Sequence, residues 1–111
     1  MTELLELISA LKSNAERERE ALRSLDSRAL LEVAAEADGL ARRLGAAMRR
    51  VGPEQLKDAR WRDVRARAAD LKSLLRANAT VASRSLDVVR ALRKLAPPPP
   101  PDAPAFVSRH A

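Results

Sequence analysis

Residues 52–96 read GPEQLKDARWRDVRARAADLKSLLRANATVASRSLDVVRALRKLA, and the predicted fold depends mainly on the length and apolar pattern of this stretch. After Pro53 it contains neither proline nor glycine, so no strong helix breaker precedes the proline run that begins at Pro97. Gly52 and Pro53 mark its start, because glycine is common just past a helix end and proline is tolerated in the first turn of the next helix. We therefore expect one helix over about 54–95, roughly 63 Å long.

Apolar residues recur every three or four positions along this stretch, the pattern of an amphipathic helix. The stripe begins with Trp61, Val64, Ala68, Leu71 and Leu75. From there two stripes overlap, one through Leu71, Leu74, Asn78, Val81, Ser85, Val88, Leu92 and Leu95, the other through Leu75, Ala82, Leu86 and Val89. Their combined face is wider than a contact between two helices needs. Lys57 stands where the stripe would need an apolar residue, so the first turn is less well anchored.

Two shorter helices, at about 3–24 and 27–51, are predicted before this stretch. Each has apolar residues at steps of three and four, which are Leu4, Ile8, Leu11, Ala15, Leu22 and Leu25 in the first and Leu30, Val33, Ala37, Leu40, Leu44, Ala47 and Val51 in the second. The break at 24–27 is short, and Asp26 or Ser27 can cap the second helix, so the two form an antiparallel hairpin.

The predicted fold class is all-α. With only Trp61 and Phe106 as aromatic residues, the core must consist of Leu, Val and Ala, which fill the space between helices better than the interior of a sandwich or barrel. We expect an antiparallel three-helix bundle or coiled coil, formed by a helical domain at 1–96, with an overlong third helix. The tail at 97–111 contains six of the seven prolines and is predicted to be disordered or extended.

The third helix is too long for the hairpin. Running antiparallel to the second helix, it would draw level with the hinge at about Asn78 and extend beyond it to Leu95. Burying a Leu or Val side chain contributes about 1.5–3 kcal/mol, so this apolar extension should not stay in water. A second copy of the chain, a bend at 78–83 or another protein would cover it.

Two polar residues interrupt the stripes, Glu18 and Asn78. Polar residues at such positions often fix the register of the helices or the choice of partner. Alternatively, Glu18 can pair with an arginine at the rim of the bundle, and Asn78 can mark a helix irregularity or a core hydrogen bond.

The composition argues against an enzyme, a cofactor or a metal site. The chain has no Cys and a single His, at position 110, which excludes thiolate and clustered imidazole chemistry. The glycines at 39, 45 and 52 form no phosphate-binding loop. The beginning, MTELLELISA, carries carboxylates where a signal peptide needs positive charge, and no apolar run approaches the roughly 20 residues of a membrane span, so we expect a cytoplasmic protein without membrane insertion.

The positive charge is concentrated on the third helix. The chain has 21 Lys and Arg against 15 Asp and Glu, and residues 52–96 alone carry eleven bases and five acids. The bases to weigh for nucleic-acid binding are Arg60, Arg62, Arg65, Arg67, Lys72 and Arg76. We interpret them as spread around the helix, with interleaved acids and one aromatic residue, so a coiled-coil interaction module is favoured over a nucleic-acid binder.

The layout resembles the FlgN-like flagellar export chaperones. The resemblance spans about residues 2–95 and depends on Leu4, Leu5, Ile8, Leu11 and Glu18, on Leu30, Val33 and Leu40 after a short turn, and on LKSLLRANATVASRSLDVVRALRKL, in which Asn78 matches an Asn of the family. The chain departs from the family in having Leu74 and Leu75 where a second Asn is usual, and in its proline run.

The resemblance implies a cytoplasmic helical chaperone of type III flagellar protein export. Such a chaperone binds the C-terminal helical regions of hook-filament junction (hook-associated) proteins, keeps them unpolymerised and delivers them to the export apparatus. We expect a monomer or weak dimer with a client-binding surface formed by Leu74, Asn78, Val81, Leu86, Val88, Val89, Leu92 and Leu95. The alternative is a homo-oligomeric structural coiled-coil protein that covers the same face with a second copy.

Overall fold

The computed structural model describes residues 1–95, which form four α-helices: α1 (Thr2–Ser24), α2 (Ser27–Arg49), α3 (Pro53–Leu56) and α4 (Arg60–Leu95). Among these residues there is no strand, and the prediction of an all-α helical bundle is confirmed. The predicted tail at 97–111 lies outside the described residues, as does Ala96.

A tight hinge joins α1 to α2. Leu25 adopts the left-handed conformation, with φ 53° and ψ 39°. The amide of Asp26 donates to the carbonyl of Ala21 (3.0 Å) and that of Leu25 to the carbonyl of Leu22 (3.3 Å), which closes the helix end as a Schellman motif. The Asp26 carboxylate then accepts a hydrogen bond from the amide of Ala29 (3.0 Å), so Asp26 is the cap of α2.

The central helix of the bundle is α1, which packs on α2 and on α4. Leu7 and Ile8 are both buried, and so are Asn14 and Ala15. Because consecutive residues of an α-helix point about 100° apart, α1 is covered on two sides. The continuous apolar core consists of Leu4, Leu7, Ile8, Leu11, Ala15, Ala47, Val64 and Leu71. Trp61 is half-buried against it.

The long helix runs antiparallel to α2, as predicted, but it packs on α1, to which it is parallel, and not along the second helix. Arg67 and Asp70 of α4 lie near Ser9 and Lys12 of α1, and further along both helices Asn78 contacts Ala15. Val64, Leu71 and Asn78 are the buried residues of α4, at intervals of seven, which is the spacing of one continuous seam against a neighbouring helix.

The single helix expected over 54–95 is divided into α3 and α4 by a turn at 57–59. Asp58 explains the interruption. Its carboxylate accepts a hydrogen bond from the amide of Arg60 (2.8 Å), and its carbonyl accepts one from the amide of Trp61 (2.9 Å). Asp competes for nearby backbone amides in this way and therefore favours helix starts over helix interiors.

This turn shifts the point at which α4 leaves the bundle. Residues 50–59 cross the end of the bundle, so α4 begins later than one continuous helix would. As a result Asn78 lies beside Ala15, and Ser85 is the last residue of α4 that is not exposed. The extension therefore starts near Leu86 and not at Asn78. The suggested bend at 78–83 is absent, because α4 is helical throughout Arg60–Leu95.

Candidate partner-binding surface

The structure divides the eight predicted binding residues into two groups. Leu74 and Val81 are half-buried on the side of α4 that packs on α1, and Asn78 is only 2% exposed. These three residues belong to the bundle. The other five are exposed and form what we call the C-terminal apolar surface: Leu86, Val88, Val89, Leu92 and Leu95.

Asn78 connects α4 to α1. Its amide nitrogen donates to the carbonyl of Ala15 and to the carboxylate of Glu18, both at 2.8 Å. The two polar residues that interrupt the apolar stripes in the sequence therefore meet, and Glu18 pairs with an amide and not with an arginine. The Asn78 Oδ1 atom is buried and has no hydrogen-bond partner within residues 1–95. Since a shift of one residue along α1 would break both hydrogen bonds, this contact fixes the register of the two helices.

A second buried asparagine, which the sequence reasoning missed, connects α1 to α2. The Asn14 amide donates to the carbonyl of Val33 (3.0 Å) and to the carboxylate of Glu36 (3.1 Å). Glu36 also accepts a hydrogen bond from Arg17. Arg17 first, and Asn14 second, hold the pKa of Glu36 below its ordinary value. Asn14 follows Leu7 by seven residues, and this spacing is the signal that would have placed it in the seam toward α2.

The C-terminal apolar surface lies beyond the part of α4 that α1 covers. Its exposed fractions run from 38% for Val89 to 81% for Leu95. Val88 and Leu95 continue the seven-residue series of Leu74 and Val81, and Leu92 follows Ser85 by seven residues. These three residues therefore continue the seam that α1 covers nearer the start of α4. The surface is therefore a helix-packing seam whose partner helix has ended.

A second apolar stripe on α4 faces a groove toward α2. The groove has a volume of about 420 Å³ and is lined by Leu44, Ala68, Leu71, Lys72, Leu75, Arg76 and Ala79. Leu44 belongs to α2 and the other lining residues to α4. We call the exposed residues at helical spacing along this side the cleft stripe: Ala68, Leu75, Ala79 and Ala82. It continues without interruption into Leu86 and Val89 of the C-terminal apolar surface.

The charged residues on one side of the cleft stripe are all basic. In the seven-residue register that α4 keeps against α1, six bases occupy two neighbouring heptad positions, and we call them the basic flank: Arg62, Arg65, Lys72, Arg76, Arg90 and Arg93. Arg62, Arg76 and Arg90 lie just outside the stripe, whereas Arg65, Lys72 and Arg93 share the heptad position of Ala79 and Leu86. The acids of α4, which are Asp63, Asp70 and Asp87, occupy other heptad positions. No ion pair within residues 1–95 includes a member of the basic flank. The interpretation that the bases spread around the helix is thus wrong for this part of the charge.

The hinge end of the bundle offers a different kind of hollow. A space of about 370 Å³ between α1 and α2 is lined mostly by charged and polar side chains, among them Arg17, Glu20, Asp26, Glu32 and Glu36. It does not adjoin the apolar surfaces of α4.

Among residues 1–95, no three carboxylate or imidazole side chains come together as metal ligands. None of the described helices has the length and apolar character that crossing a membrane would require.

Comparisons of the chain with protein-family models, with curated proteins and with solved structures find no match.

Proposed function

We propose that this protein is a cytoplasmic FlgN-like flagellar export chaperone, and that the C-terminal apolar surface holds its client. The client is the C-terminal helical region of a hook-filament junction protein, which the chaperone keeps unpolymerised until export. The export apparatus is then a second partner. The helix layout and the sequence pattern of α4 support this assignment. Its main support is the exposed seam of α4 beyond the end of α1.

A client that covers the C-terminal apolar surface removes five apolar side chains from water. Each is at least 38% exposed in the chain by itself. Because full burial of a Leu or Val side chain contributes about 1.5–3 kcal/mol, a client helix that covers most of this surface gains several kcal/mol from it. Val88, Leu92 and Leu95 follow one another at steps of four and three residues, and Val89 follows Leu86 by three. Such spacing suits a helix laid along α4, with apolar side chains from both helices interdigitating.

The proposal is tested with the double substitution of Val88 and Leu92 by Asp. Both side chains are exposed, at 58% and 60%, so the bundle should stay folded. Isothermal titration calorimetry with the C-terminal helical region of a hook-filament junction protein should show a loss of affinity of at least about tenfold, since two buried apolar contacts are replaced by charges. The matched control is Leu31→Asp on α2, a residue that is 73% exposed and distant in sequence from the surface. Unchanged affinity in the double variant, with helicity intact, would contradict the proposal.

The homo-oligomeric structural coiled coil is distinguished by mass in solution at micromolar concentration. A single chain supports the chaperone. A tight dimer that the same double substitution dissociates would favour the structural protein instead, because the surface would then be covered by a second copy.

A further inference from the structure

We propose that the cleft stripe, together with the groove toward α2, takes an acidic amphipathic helix of a partner protein. This helix completes a four-helix bundle with α1, α2 and α4. The inference deepens the proposed function and rests on it in one respect: it states the chemistry of the client helix that α4 binds.

The shape of the surface argues for a helix as its occupant. The cleft stripe repeats at intervals of seven, four and three residues from Ala68 to Ala82, and Leu86 and Val89 extend it by four and three. The groove at the Ala68 end of the stripe is open. It lies between α2 and α4, which both pack on α1 and have little contact with each other. From Ala68 to Val89 the stripe is about 32 Å long, which a partner helix of about 20 residues would match.

The charge of the surface argues that this helix is acidic. Lys72 and Arg76 line the groove itself, and Arg90 and Arg93 continue the basic flank beside Leu86 and Val89. Within residues 1–95 none of the six bases is paired with a carboxylate. In helical bundles the positions beside the apolar seam carry charges that select the partner. Glu or Asp residues along one edge of the partner helix would therefore meet four to six unpaired cations.

The same charges argue against two other occupants. A second copy packed through the same stripe would bring one basic flank against another, which opposes association. The phosphates of a nucleic acid could bind the basic flank, but its nucleobases would find no exposed aromatic side chain on which to stack. Trp61 is half-buried against the core, and the stripe beside the basic flank is aliphatic.

The test uses two synthetic helical peptides and the full chain. Both peptides have about 21 residues, or three heptads, with Leu at the same seam positions; one carries Glu at the flanking positions and the other Lys. Fluorescence anisotropy at low salt should show the acidic peptide binding at least about tenfold more tightly than the basic one, and added salt should reduce this preference. The double substitution of Arg76 and Arg90 by Glu should abolish the preference. The single substitution Leu75→Asp should weaken the binding of the acidic peptide.

Arg84→Glu provides the matched control, because Arg84 lies on the same helix but shares the heptad position of Asp63 and Asp70. It should leave the preference for the acidic peptide in place, with circular dichroism reporting unchanged helicity for every variant. Equal affinity for the two peptides would overturn the inference. So would an Arg84→Glu effect as large as that of the double variant, or tighter binding of a 20-base single-stranded oligonucleotide than of the acidic peptide.

The outcomes also separate this inference from the proposed function. A chain that prefers the acidic peptide but does not bind hook-filament junction proteins would refute the flagellar assignment alone. A chain that binds those proteins regardless of the charge at positions 76 and 90 would refute the acidic-helix inference alone.

Discussion

Two asparagines connect the three long helices at nearly the same level of the bundle. Asn78 reaches the carbonyl of Ala15 from α4, and Asn14, the residue before Ala15, reaches the carbonyl of Val33 on α2. Each also donates to a carboxylate, Glu18 or Glu36. Buried amides at apolar seam positions cost stability compared with a Leu, but they penalise every register that leaves them unpaired.

Asn78→Ala should lower the free energy of unfolding by about 1–3 kcal/mol, because the substitution removes two hydrogen bonds and leaves half-buried Glu18 without its partner. Urea denaturation measures the change. Thr80→Ala, at an exposed position two residues away, is the control and should change the free energy by less than about 0.5 kcal/mol. An Asn78→Ala variant as stable as this control would mean that the contact with α1 contributes nothing.

Glu36 should make the stability of the hairpin dependent on pH. Since Arg17 and Asn14 hold its pKa below the ordinary value, the folded state binds a proton less readily than the unfolded state does. The stabilisation is therefore present above the ordinary carboxyl pKa and is lost as the pH falls through the lowered value. The difference in unfolding free energy between the native chain and Glu36→Gln should be larger at about pH 7 than at about pH 3. Arg17→Gln should remove most of this pH dependence, and a difference independent of pH would contradict the assignment.

At the scale of the helices, the hinge and its caps were predictable and the interruption before α4 was not. The break at 24–27 is visible because Asp26 is a strong cap between two apolar stripes. Asp58 is the same kind of residue, but Ala59 follows it where the hinge has a second capping residue, Ser27, and the apolar stripe resumes three residues later at Trp61. Lys57 in the seam was the available sign of a weak first turn. The interaction of the Asp58 carboxylate with Arg60, which lowers the pKa of Asp58, depends on local geometry that spacing does not reveal.

Leu25→Gly should stabilise the chain by about 1 kcal/mol, because Leu25 adopts a left-handed conformation that glycine tolerates without steric cost. Its side chain is 69% exposed, so little packing is lost. Leu31 is similarly exposed, at 73%, but lies inside α2, and Leu31→Gly should destabilise the chain by about 1 kcal/mol. Thermal unfolding of the two variants should therefore shift in opposite directions. A shift in the same direction would contradict the role of the hinge conformation.

At the scale of the whole molecule, the seven-residue spacing of Val64, Leu71 and Asn78 predicted a seam but not the helix that it faces. Both shorter helices carry apolar seams of suitable spacing, so the choice between them depends on how residues 50–59 cross the end of the bundle. Once α4 pairs with α1, three of the predicted binding residues become part of the bundle and five remain exposed. The basic flank could be recognised as one cluster of like charges only once this register was known.

The proposed function requires that the C-terminal end of α4 is a helix-packing seam that a client helix covers. Amide hydrogen exchange, followed by mass spectrometry on the full chain with and without the C-terminal helical region of a hook-filament junction protein, tests it most directly. We predict slower exchange over 86–95 in the complex and unchanged exchange over 50–59, which cross the opposite end of the bundle. A client that binds while exchange over 86–95 stays the same would contradict it.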